Sequence, residues 1–167
     1  MRRRTLAIAL AMGAWLVCSP YAASAETGAT LVAIVTPDPA SALTRRVRAE
    51  LAALGVDVIV IRPPEGSSVS RTPLEQAARN VGAAAAVRLV PSTEGTVEVW
   101  VADRVTGKAV VRELPASGTG ASDAAVAVGT VELLRASLME LHSGESPRGE
   151  VAPTPQIVAL ALPVSRA

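Results

Sequence analysis

Three features of the chain predict an α/β fold: a mixed sheet of about five strands, element order β-α-β-α-β-β-β-α, with helices packed on the sheet. Between Thr30 and Ile61 an apolar run, an amphipathic helix pattern, a glycine and a second apolar run follow one another, the signature of a βαβ unit. From Gly95 to Leu114 two runs, the first strictly alternating, flank a glycine-containing turn, which reads as a β-hairpin. From Ser122 to His142 a long helical pattern closes the domain.

Residues 1–25 have the composition of an export leader rather than of the fold. Arg2, Arg3 and Arg4 precede an apolar stretch from Leu6 to Val17, and Ala23-Ser24-Ala25 is a small-x-small cleavage site before Glu26. The stretch is shorter than the roughly 20 residues a membrane helix needs. Cys18 follows Val17, a poor context for lipidation, and no other cysteine exists. After cleavage the chain therefore has no disulfide and no thiol chemistry. Three of the sixteen basic residues leave with the leader, so thirteen face fifteen acidic ones. A slightly negative chain has no broad basic surface for nucleic acid. The expectation is a periplasmic or secreted protein with one domain over 26–142, no stable membrane span after cleavage, and a mostly disordered tail over 143–167.

Within the domain, Thr30–Thr36 (TLVAIVT) reads as a strand buried on both faces, stopped by Pro37-Asp38-Pro39. Ser41 caps a helix from Ala42 to Leu54, whose apolar face is Leu43, Val47, Leu51 and Leu54. Gly55 ends it and Val56–Ile61 is the next strand. A loop over Arg62–Thr72 leads to a short helix with Thr72 as cap, Pro73 in the first turn and Glu75 at the third position, ending at Gly82. Ala84–Val90 is the third strand, and Pro91–Gly95 turns into the hairpin. The final helix, over 122–142, presents Ala124, Val128, Val131, Leu134, Leu138 and Leu141 to the sheet, with Ser122 as cap and Glu132, Arg135 and Glu140 off that face. In the tail, Ile157–Leu162 (IVALAL) is an isolated apolar run, a candidate to extend a sheet edge.

The hairpin holds Trp100, the one aromatic residue beyond the leader. Asp103 is placed to bond its own turn, and Gly107 to take positive φ. Setting Ala102 opposite Lys108 pairs Val101 with Ala109, Val99 with Val111, Trp100 with Val110 and Glu98 with Arg112. Slipping one residue would set Arg112 opposite Val99 on the buried face, so the first register is expected. On that face Trp100 is expected to be covered by a helix or by the tail; the alternative is a partner contact, since Trp is favoured at interfaces for its area and its N–H, and Trp100, Glu98 and Arg112 are then the candidate partner-contact residues.

The piece from Ala77 to Leu114, with Asn80-Val81-Gly82-Ala83, an apolar strand and Val-Ala-Asp-Arg-Val-Thr-Gly-Lys at the hairpin tip, resembles periplasmic domains of the TolB amino-terminal and CsgG/FlgO-like group. Leu89-Val90-Pro91 stands where those domains carry a glycine. The resemblance implies an interaction or scaffolding module of an envelope assembly and no catalytic residues.

The rest of the chain holds little that could react. His142 is the single histidine, without companions for a metal site. No Gly-x-Ser-x-Gly elbow exists. Asp38, Asp57, Glu65 and Glu75 are expected as solvated charges. Gly118-Thr119-Gly120 lacks the Lys-Ser/Thr of a phosphate loop. Thr36-Pro37-Asp38-Pro39 has prolines where close ligand approach wants glycine. The expected function is thus a non-catalytic envelope domain that binds other envelope proteins, with no cofactor and no metal. The alternative is a small-ligand binder or degenerate enzyme using the loops after Val35 and Ile61, and a third reading is the remnant of a longer protein.

Overall fold

The computed structural model describes residues 30–116, 121–142 and 148–162. The leader, its cleavage site and Gly118-Thr119-Gly120 lie outside them. The elements are β1 (Leu31–Val35), α1 (Ala42–Ala53), β2 (Asp57–Ile61), α2 (Arg71–Asn80), β3 (Ala85–Pro91), β4 (Thr96–Asp103), β5 (Lys108–Pro115), α3 (Ala121–Leu138), a 3-10 turn (Met139–His142) and α4 (Pro155–Ala161). They build one mixed sheet in the order β2-β1-β3-β4-β5. β1 pairs in parallel with β2 and β3, and β3, β4 and β5 form an antiparallel meander. The α/β class, strand number and element order are those the sequence predicts, with α4 added.

Each strand alternates between two helix layers. Val32, Ile34, Val87, Leu89, Val97, Val99 and Val101 face α1, α3 and α4 in the larger core. Ala33, Val35, Ala86 and Ala102 face α2 through Leu74 and Ala78. The crossovers β1-α1-β2 and β2-α2-β3 run across the sheet in opposite directions, which with a common hand puts α1 and α2 on opposite faces. The loops following β1 and β2 therefore diverge at the carboxyl ends of adjacent parallel strands, as at the switch point of a doubly wound sheet.

The Ser41 cap is present: its hydroxyl accepts the Thr44 N–H at 3.1 Å. α2 departs from expectation by starting at Arg71, two residues ahead of Pro73, with Ser70 at the cap position and no side-chain cap bond. Glu75 does not complete a capping box. It pairs with Arg71 at 2.5 Å and Arg79 at 3.4 Å along one helix face, and this i,i+4 ladder replaces the Thr72 cap.

α3 is buried on more than one face, so its single-stripe reading fails. Val126, Ala127, Val131, Leu133, Leu134 and Leu138 are buried, while Val128, expected in the core, is 50% exposed. Arg135, expected off the apolar face, is only 8% exposed; it donates to Glu132 at 3.3 Å and to the Leu162 carbonyl. The reason is α4, which covers the second face. Thr154 caps it by accepting the Ile157 N–H at 3.3 Å, Pro155 sits in its first turn, and Ile157, Leu160 and Ala161 are buried in the larger core. Within the tail, Pro155–Ala161 form a helix, so IVALAL runs into α4 rather than extending a sheet edge. Burying Ile157 and Leu160 contributes about 1.5–3 kcal/mol each.

Candidate functional site

The turn between β4 and β5 is built on a buried carboxylate. Asp103 is 0% exposed. One oxygen accepts the N–H groups of Val105 (2.8 Å) and Thr106 (3.2 Å); the other accepts the hydroxyls of Thr106 (2.6 Å) and Ser137 (3.3 Å). The Thr106 hydroxyl also lies 3.2 Å from the Ser137 carbonyl, so the turn is tied to α3. Burial pushes the Asp103 carboxyl up, and the Thr106 hydroxyl, the two N–H groups and the Ser137 hydroxyl pull it partly back. Gly107 closes the turn with φ +75°. Asp103 therefore does bond its own turn, as the sequence predicts.

This turn fixes a register one residue away from the expected one. Asp103 lies opposite Lys108, Ala102 opposite Ala109, Val101 opposite Val110, Trp100 opposite Val111, Val99 opposite Arg112, and Glu98 opposite Glu113. The Glu98–Arg112 pair does not exist. Glu98 and Trp100 share the α2 face, and Arg112 is on the other face beside Val99. The expected penalty does not apply because β5 is the sheet's edge strand: Arg112 is exposed and reaches water sideways.

The candidate contact residues are thus split. Trp100 is half-buried among the residues that α2 covers, with Arg88 opposite it on β3 and Val111 on β5. Its indole N–H is buried and has no hydrogen-bond partner. α2 packs over β1, β3 and β4. Beyond it the face continues as Val111, 44% exposed, flanked by Glu98 and Glu113. Glu113 accepts the Thr96 hydroxyl at 2.6 Å. Among the described residues β5 pairs with β4 alone, so alternate backbone N–H and C=O groups along it point outward. Val111 and Glu113 were not singled out in the sequence because the assumed register put Val111 on the opposite face.

Across the hairpin tip runs a strap from the tail. Gly149 donates to Val105 O at 3.0 Å, and Glu150 and Val151 donate to Arg104 O at 2.7 and 3.2 Å. Glu150 pairs with Arg79 at 2.9 Å and Arg104 at 3.4 Å, and Arg104 also donates to Ala83 O at 2.9 Å. Arg71 reaches Gly107 O at 3.0 Å. These guanidiniums are engaged in holding tail, hairpin and α2 together.

The loop after β1 is likewise self-satisfied. The Thr36 hydroxyl accepts the Asp38 N–H at 3.2 Å, the Asp38 carboxylate accepts the Ala40 N–H at 3.1 Å, and the Thr44 hydroxyl donates to Asp38 O at 3.2 Å. Asp57 accepts the Thr30 hydroxyl at 3.1 Å. Among the described residues no three His, Cys, Asp or Glu side chains converge to hold a metal ion, and no helix is long and apolar enough to cross a membrane. On the α2 face, at the carboxyl ends of β1 and β2, lies an apolar cavity of about 170 Å³ walled in part by Val35, Ile61, Pro73, Leu74 and Val81. No protein-family model matches the chain, and no curated protein matches it either.

Proposed function

We propose that this protein is an exported, non-catalytic envelope domain that binds an extended segment of another envelope protein along β5. One observation carries the reading: an eight-residue antiparallel edge strand, paired with β4 alone among the described residues, presents Val111 at 44% exposure beside half-buried Trp100. Main-chain groups of such an edge supply affinity for an added strand, and alternate side chains supply selectivity. Here the alternation is specific. The α2 face offers apolar Val111 and then Glu113 with Glu98 behind it, while the other face offers Arg112. A fitting segment places an apolar residue at Val111, a basic one at Glu113 and an acidic one at Arg112. The two charges in mid-strand also disfavour indiscriminate edge pairing. Export rests on the leader's composition, and the likeness to TolB amino-terminal and CsgG/FlgO-like domains favours an envelope partner.

The test places a photo-crosslinking residue at position 111 in living cells, with position 128, exposed on α3, as control. A crosslink from 111 but not 128, to a peptide with the alternation just described, is expected. Adding that peptide to the purified protein should slow amide exchange in β5, and Val111→Lys should abolish the effect without unfolding. Equal crosslinking at both positions, or unchanged exchange in β5, overturns the reading. N-terminal sequencing of the periplasmic fraction should start at Glu26; a retained leader contradicts cleavage.

A further inference from the structure

The geometry points to a binding site for a small carboxylate with an apolar body, in the cavity between α2 and the carboxyl ends of β1 and β2. This inference is independent of the β5 reading. The floor is Val35 and Ile61, and α2 contributes Leu74 and Ala77 as a wall. The volume, about 170 Å³, is that of a site able to take one aromatic ring: a cavity of about 150 Å³ lined by aliphatic side chains binds benzene.

Two guanidiniums set the polarity of this cavity. Arg62, the first residue after β2, and Arg88, on β3, both line it. Arg88 interrupts an otherwise apolar strand and spends one donor, on Ser68 O at 3.1 Å. Among the described residues neither arginine has an ion pair, as is also true of Arg45, Arg48, Arg112 and Arg148. Ser67 also lines the cavity, although its hydroxyl is turned into the protein, where it has no hydrogen-bond partner among the described residues. The nearest acidic residue in the loop, Glu65, is exposed and pairs with neither arginine. Planar guanidiniums match a carboxylate with paired hydrogen bonds. An apolar body in the cavity and a carboxylate toward Arg62 and Arg88 match this lining.

Titration calorimetry of the purified protein with benzoate, benzamide and inorganic phosphate distinguishes the possibilities. Saturable benzoate binding is expected, with benzamide and phosphate each at least tenfold weaker. Arg88→Gln should weaken benzoate at least tenfold. Ala77→Leu, which fills the cavity from α2, should abolish binding while leaving the thermal transition cooperative, so that the result does not hinge on whether Arg88→Gln folds. Equal binding of benzoate and benzamide, phosphate binding as tight as benzoate, no saturable binding, or benzoate binding that survives Ala77→Leu would overturn the inference.

Discussion

Gly149→Ala is a sharp test of the strap. Gly149 does not occupy a positive φ, so its constraint is space and not conformation. A Cβ built there would lie 2.0 Å from Arg104 O and 2.2 Å from Val105 O, where real Cβ contacts do not fall below 3.0 Å. Both obstacles are backbone atoms of a turn anchored by buried Asp103, so the strap must move, by about 1 Å or more. That displacement breaks or distorts three N–H···O bonds, from Gly149, Glu150 and Val151. At about 0.5–1.5 kcal/mol each, the loss is about 2–4 kcal/mol. The Glu150 pairs with Arg79 and Arg104 are partly exposed and add at most a few tenths. In Tm this is roughly 6–15 °C for a domain of this size. Gly66→Ala is the control: φ is +70° with nothing within 4 Å of the new Cβ, so it costs only the left-handed backbone, about 1–2 kcal/mol. Urea unfolding gives the stabilities, and amide exchange at 149–151 locates the effect. A Gly149→Ala loss below about 1 kcal/mol with protection retained refutes the packing of the strap on the hairpin.

Ile157→Ala should cost about 2–4 kcal/mol in urea unfolding, because the residue is 1% exposed in the main core; a loss under 0.5 kcal/mol would detach α4 from the fold. Trp100→Phe should leave stability within about 1 kcal/mol of wild type, since it removes a buried N–H that bonds nothing, whereas Trp100→Ala should lose more than that. Asp103 gives a pH signature. Its folded carboxyl titrates above the unfolded value of about 3.9, so the stability it contributes is full below that pH and falls as pH rises through the folded value. Asp103→Asn cannot ionise, so its stability relative to wild type should increase from pH 3.5 upward and then level off; a constant or shrinking difference would contradict the burial of this carboxylate.

The elements were legible because their signals are local. Ser41, Gly55, Gly82 and Gly107 mark boundaries by chemistry that acts within a few residues. What was illegible depends on distant partners. Val128 fits one helical stripe as well as Val131 does, and only the positions of α1 and α4 decide which is buried. IVALAL lies between proline-rich and polar residues, so its burial shows only once α3 offers a second apolar face. Of the candidate contacts, Trp100 and Glu98 do share a face, because strand alternation is a local property. Arg112 does not join them, because its face depends on pairing. Arg88 carries a local signal of its own: an arginine inside AAVRLV is out of place in a strand buried on both sides.

The hairpin register shows which energies set the pairing. Cross-strand charge pairing is worth about 0.2–1 kcal/mol, and Glu98–Arg112 would have gained no more. Against that stands the turn. With Asp103 opposite Lys108 the loop is the four residues 104–107, and the Asp103 side chain points toward α3, where Thr106 and Ser137 saturate it. The same register sets Leu114 opposite Val97, on the face where α3 passes. Gly129 makes room there: a Cβ on it would come within 2.8 Å of the Leu114 side chain. Shifting β5 by one residue would turn Leu114 to the opposite face and bring Glu113 toward α3, burying a carboxylate with no basic partner. Two like charges, Glu98 and Glu113, are left facing each other on the outer face, where water screens them. The turn and the helix side of the ribbon decide its register, and the face beside β5 carries the unneutralised acidic pair that results.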